Sequence, residues 1–163
     1  MSSLALRPTD RKVVVPAVEK ARQSGRSAVA IALRDGRIIT GKSSELMNDT
    51  ASVVLNAIKA LAGLSDEILL ISPIVLEPII RLKEEILGSR YPVLKLEEVL
   101  QALSISAATN PTAELAMKQL PKLRGCDAHC SDIITQGDGA TLLKLGINYT
   151  CEPQYPTKDL YFK

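Results

Sequence analysis

Residues 27–41 read "SAVAIALRDGRIITG", two short apolar runs on either side of Asp35-Gly36. "SAVAIAL" (27–33) and "RIITG" (37–41) contain the β-branched residues that favour strands. Aspartate followed by glycine tolerates the positive φ angles of a tight hairpin turn better than almost any other dipeptide. The stretch is therefore an antiparallel hairpin, and it sets the frame for the rest of the chain. Before it, Thr9 to Gln23 has helical character, with Pro16 either beginning or bending the helix because proline lacks the amide hydrogen of an interior turn. After it, Ala51, Val54, Leu55, Ile58, Leu61 and Ala62 recur at helical spacing. Asn48 or Asp49 is placed to cap this helix and Gly63 to stop it.

"EILLIS" (67–72) has the look of a buried strand. A helix is expected between Pro73 and Leu87, its start uncertain because Pro78 suits a first turn better than an interior. Leu96 to Ala108 and Pro111 to Leu120 form a helical pair divided at Asn110-Pro111, where asparagine caps and proline takes the first helical position. Ala128 to Ile134 reads as a strand, Asp138 to Leu145 as a helix ended by Gly146, and Ile147 to Thr150 as a last strand. The tail "EPQYPTKDLYFK" (152–163) reads as an extended strap. Helices alternating with strands imply a layered α/β sandwich with a mixed sheet, antiparallel at the hairpin and parallel later. No repeat or linker divides residues 1–163, which are expected to form a single α/β domain.

Composition narrows the function classes. Hydrophobic residues make up 46% of the chain and aromatics only 3%, so the core is aliphatic. Twenty basic residues face 18 acidic ones in a scattered pattern, which disfavours nucleic-acid binding. Charges break up the first thirty residues, no run approaches a membrane span, and the three cysteines cannot all pair, so a cytoplasmic location and no membrane partner are expected.

"GRIITGKS" (36–43) satisfies the phosphate-loop spelling, glycine, four residues, then Gly-Lys-Ser. That chemistry requires a glycine-rich loop leading from a strand directly into a helix. Here the first glycine belongs to a hairpin turn and the residues between form a strand, so the match is accidental. Lys42, Ser43, Ser44 and Glu45 nevertheless leave the strand toward the next helix, where a ligand could meet them.

"CDAHCS" (126–131) holds the only histidine and two of the three cysteines. Cys126, His129, Cys130 and Cys151 are the alternative zinc set if the last strand runs beside this one. Against it, side chains alternate along a strand, so His129 points away from Cys130, and Cys126 and Cys130 stand about 13 Å apart at roughly 3.3 Å per residue. No cofactor is the primary expectation. The same alternation separates the Cys130 thiol from His129 as a base. If the two last strands pair, Glu152 can approach His129 as an acid–base partner. Ligands of open α/β sheets bind at strand ends. The candidate polar pocket therefore comprises His129 and Glu152 as catalytic candidates, with Lys42, Ser43, Ser44, Glu45 and Asn110 as ligand contacts.

The runs "TGKSSELMNDTASVVLNAIKALAGLSDEILLISPIVLEPIIRLKEEILGS", "EVLQALSISAATNPTAELAMKQLPKLRGCDAHCSDI" and "LLKLGINYTCEP" resemble the C-terminal domain of the bacterial domain-of-unknown-function family eighteen-forty-six. The resemblance covers nearly the whole chain. It implies a longer family protein whose N-terminal half, with a phosphate-loop-like segment, has no counterpart here. No activity is implied. In the family pattern the cysteine and histidine of "GCDAHC" recur while the Cys130 position is usually a hydroxyl residue, which weighs against a metal set and adds Ser131 to the ligand contacts.

A second resemblance, in element order, is to the cytidine-deaminase-like fold, without its zinc motifs: the corresponding places read "SSELMNDTAS" and "SPIVLEP". The leading expectation is an accessory domain of a cytoplasmic bacterial protein that helps form a small-molecule or nucleotide-related site and takes part in homo-oligomerisation. The alternatives are a self-sufficient hydrolase or transferase using His129 and Glu152, and a purely structural oligomerisation module built on the helices at 50–63 and 96–120.

Overall fold

A computed structural model describes residues 13–152. The hairpin forms as expected: β1 (Ala28–Ala32) pairs antiparallel with β2 (Ile38–Lys42), Ala30 opposite Thr40. Gly36 takes φ +97° in the turn, and the Leu33 amide donates to the Arg37 carbonyl at 2.8 Å. β3 (Asp127–Cys130) lies antiparallel on the other side of β1, and β4 (Asn148–Cys151) runs parallel to β3, giving the order β2-β1-β3-β4. The sheet is mixed, as the sequence implies.

Strand alternation divides the core between two faces. Val29, Ile31, Ala128, Cys130, Tyr149 and Cys151 face a large aliphatic layer that includes α2 (Asp49–Leu61), α4 (Leu96–Ala107), α5 (Pro111–Met117) and α6 (Gln136–Lys144). The opposite face offers Ala30, Ala32 and Ile38 to α1 (Val14–Ser24) through Val13 and Ala17. Alanines on β1 let α1 approach closely.

Several elements differ from expectation. Pro16 stands in the first turn of α1, where its missing amide hydrogen has no partner to lose, so it begins the helix instead of breaking it. Thr9 to Lys12, and the tail beyond Glu152, lie outside the described residues. The strand expected at 67–72 is not one. Leu70 and Ile71 are buried, but the Lys59 ammonium donates to the carbonyls of Asp66 (2.9 Å) and Ile68 (3.2 Å), so a side chain takes the place of a strand partner. The element order behind the deaminase comparison thus loses one strand. α3 (Pro73–Arg81) starts at Pro73 behind a Ser72 cap, with Pro78 inside it, and runs into a π turn at Leu82–Ile86. β3 ends at Cys130, four residues early. α5 yields to a 3-10 turn at Leu120–Leu123, where Pro121 cannot extend the α pattern.

Candidate functional site

Ser27, Ser43, Ser131 and Glu152 all stand at one end of the sheet, because β1 starts where the other three strands finish. Register fixes what meets there. His129 is paired laterally with Ala30 on one side and Thr150 on the other, so its side chain shares the α1 face with that of Thr150. Glu152, two residues on, returns to the same face. His129 Nε2 lies 2.8 Å from Glu152 Oε2, and Nδ1 lies 2.7 Å from Thr150 Oγ1.

The ring is fully buried, whereas the Glu152 side chain is 34% exposed. With Thr150 Oγ1 at one ring nitrogen and Glu152 Oε2 at the other, both nitrogens have partners. The carboxyl, not the ring, is the outward-facing member of the pair.

Glu152 opens on a cleft of about 600 Å³ whose walls include Arg22, Arg26, Ser27, Ser131 and Asp132. Ser131 closes the sheet edge: its Oγ accepts from the Ala28 amide at 2.9 Å and its own amide donates to the Ala28 carbonyl at 2.8 Å. Arg26 also borders a second, smaller hollow of about 340 Å³ formed by Lys42, Ser43, Ser44, Glu45 and Leu46. Its guanidinium donates to the Ser43 carbonyl at 3.4 Å. The two hollows meet at this arginine.

Seven of the eight expected residues thus gather at one sheet end. Asn110 does not join them. Its Oδ1 accepts from the amides of Thr112 and Ala113, capping α5, whose Ala113 and Ala116 belong to the layer on the opposite face. Sequence reading missed Arg22, Arg26 and Thr150. Thr150 had a legible signal, since it is two residues from Glu152 on a strand. Arg26 had one too, since it stands two residues before β1 at this sheet end; Arg22 had none, because only the packing of α1 over the sheet brings it to the cleft.

The alternative zinc ligands diverge. Cys126, Cys130 and Cys151 lie toward the large aliphatic layer and His129 toward α1, so the four do not converge. Among the described residues no three His, Cys, Asp or Glu side chains are disposed to hold a metal ion. Desolvation in the core pushes the thiols of Cys130 and Cys126 up; the neighbouring Cys151 adds to the shift at Cys130. Neither is an activated nucleophile.

A further polar cluster lies on the other face. Asp138, at the start of α6, accepts from the Leu96 amide (3.0 Å) and from Asn48 Nδ2 (2.7 Å), and its own amide donates to Thr135 Oγ1. Asp49 beside it is buried, and desolvation raises its pKa against the lowering effect of hydrogen bonds from Ser27 and the Thr50 amide. Asn48 and Asp138 thus hold the starts of α2, α4 and α6.

No helix among the described residues is long and apolar enough to cross a membrane. Comparison with known proteins places the chain firmly. A UPF0371 protein of Clostridium botulinum (strain Eklund 17B / Type B) is 52% identical over 99% of this chain and 34% of its own length. A UPF0371 protein of Clostridioides difficile (strain 630) shows the same 52%, 99% and 34%. The chain therefore spans about a third of the length of the curated relatives it matches. The family model described as "Domain of unknown function DUF1846, C-terminal" matches residues 9–161, in agreement with the resemblance read from the sequence, and the chain belongs to that family.

Proposed function

We propose that this domain supplies one wall of a small-molecule site in a longer, cytoplasmic bacterial protein, with Glu152 as the contacting group and His129 as the residue that positions it. The observation that carries this reading is the contact between the buried imidazole and a half-exposed carboxyl at the mouth of a cleft rimmed by Arg22 and Arg26. Two guanidinium groups beside a carboxyl and the Ser131 hydroxyl suit a ligand with both an anionic group and a hydrogen-bond donor, as nucleotides and phosphorylated small metabolites have. The reading assigns no metal, because the sulfur and imidazole donors point to opposite faces. Lys42 to Glu45 extend the wall beyond Arg26. Homo-oligomerisation belongs to the proposal as a means of completing the site.

The sole histidine gives a direct test, since the imidazole nitrogen signals in a ¹⁵N spectrum belong to His129 alone. Nucleotides and phosphorylated metabolites are titrated into this chain, read by the His129 ring nitrogens, and into the intact Clostridioides relative, read by calorimetry. A ring shift in this chain that Glu152→Gln removes supports the reading. No binding of any of these compounds to either protein overturns it. Turnover by the chain alone would instead favour the self-sufficient hydrolase or transferase.

A further inference from the structure

The stretch from Leu69 to Tyr91 exposes apolar surface out of proportion to the rest of the domain. Leu69, Ile74, Leu82, Ile86, Leu87 and Tyr91 are between 48% and 81% exposed. α3 buries only Leu76, and the π turn after it buries nothing. A surface helix ordinarily hides its apolar side chains and shows its polar ones. Large apolar side chains exposed together along one stretch mark an interaction site.

The stretch is also held in place. Lys83 Nζ donates to the Val93 carbonyl at 2.9 Å and to Glu98 at 2.7 Å, with the lysine side chain only 12% exposed. The Leu87 amide closes the π turn on the Leu82 carbonyl, and the Ser89 amide bonds the Lys83 carbonyl. Beside it an apolar cavity of about 190 Å³ opens between Met47, Leu55, Leu69 and Leu76. A fixed apolar surface beside a cavity is ready for a partner without rearrangement.

We propose that residues 69–91 are the docking surface for the rest of the family protein, the two thirds of its length that lies outside the match. The relatives carry that additional chain, since the match covers only 34% of their length. A covalently joined partner is present at high effective concentration, so the surface stays occupied without electrostatic steering of the encounter. Inter-domain contacts within one chain typically cover about 600–1,500 Å², a scale that six large apolar side chains and a cavity suit. The inference needs no ligand in the cleft at the sheet end, and it stands or falls separately.

Side-chain oxidation by hydroxyl radicals reads this surface directly. The peptide 69–91 is followed in this chain and, at the matching positions, in the intact Clostridioides difficile relative. Each rate is normalised to that of the same protein in denaturant, and a peptide carrying Ile105, exposed on α4, is the reference. The expected result is a rate for 69–91 at least about fivefold slower in the intact relative, with the Ile105 peptide unchanged. Equal rates in the two proteins overturn the proposal. Equally slow rates in both, with a dimer of this chain in light scattering that Ile74→Asp and Ile86→Asp dissociate, overturn it in favour of a second copy.

Discussion

Burial sets the chemistry of single residues here more than identity does. Cys130 and Cys126 are both within the aliphatic layer, and desolvation raises both thiols, so neither forms a thiolate near neutral pH. Treatment of the native protein with a thiol reagent at pH 7–8 is expected to leave both unmodified, while denaturation exposes all three cysteines; rapid native reaction at Cys130 would contradict the packing. Asp49 is shifted in the same direction by the same cause. Its pKa is raised in the folded state, mainly by desolvation, so its protonated form favours folding below the ordinary value of 3.8, and that contribution is lost as pH rises through the folded value. Asp49→Asn removes the titration. The melting temperature of the variant minus that of the parent is therefore expected to rise from pH 3 to pH 7 in parallel thermal scans. A flat difference would mean that Asp49 is not desolvated. Of the site itself, His129 and Glu152 were legible because a two-residue strand period assigns them to one face, and Ser131 entered through the family resemblance. The exposures that make Glu152 the contacting member were not, since they depend on how far α1 covers the sheet.

At the scale of elements, glycines and one lysine explain what the sequence suggested and what it concealed. Both glycines of "GRIITGKS" are structural: Gly36 supplies the positive φ of the hairpin turn, and Gly41 lets α2 lie directly on β2. A Cβ on Gly41 would overlap the backbone of Ser52 and Val53, which no rotamer change relieves. Gly41→Ala is expected to cost about 3 kcal/mol or more in chemical denaturation, toward the upper end for an overpacked core. A loss below about 1 kcal/mol would show that α2 can slide. The hairpin and α2 were readable because turn chemistry and helical period are local. "EILLIS" was misread because its apolar run is that of a strand, while the decisive group, Lys59, lies eight residues before it on a helix. Lys59→Met keeps the buried stem and leaves two carbonyls without their donor. The expected loss is about 2 kcal/mol, with faster amide exchange confined to residues 64–72; exchange unchanged there would remove the lysine as the tie.

At the scale of the whole molecule, one carboxyl group joins helices that are far apart in sequence. Asp138 receives the Leu96 amide at the start of α4 and the Asn48 amide group at the start of α2, and it stands in the first turn of α6. Three helix N-termini, each with unsatisfied amides and a partial positive charge, thus converge on one buried side chain, 2% exposed. The sequence marked Asp138 and Asn48 only as ends of separate helices, because convergence over 90 residues is a property of topology. Asp138→Asn tests the clamp with almost no change in shape. Its Oδ1 can still accept from Leu96, but its Nδ2 would face the Nδ2 of Asn48, a donor against a donor. Asn48 cannot turn over to help, since its Oδ1 already accepts from the Ala51 amide at 2.9 Å as the cap of α2. The variant is therefore expected to lose about 2 kcal/mol, the usual scale for an unsatisfied buried polar group. Asn48→Ala together with Asp138→Asn should lose less than the sum of the two single changes, because the first removes the donor that the second opposes. Strict additivity in that double-mutant cycle would show that α2 and α6 are held together by apolar packing alone, with the carboxyl group serving only the start of α4.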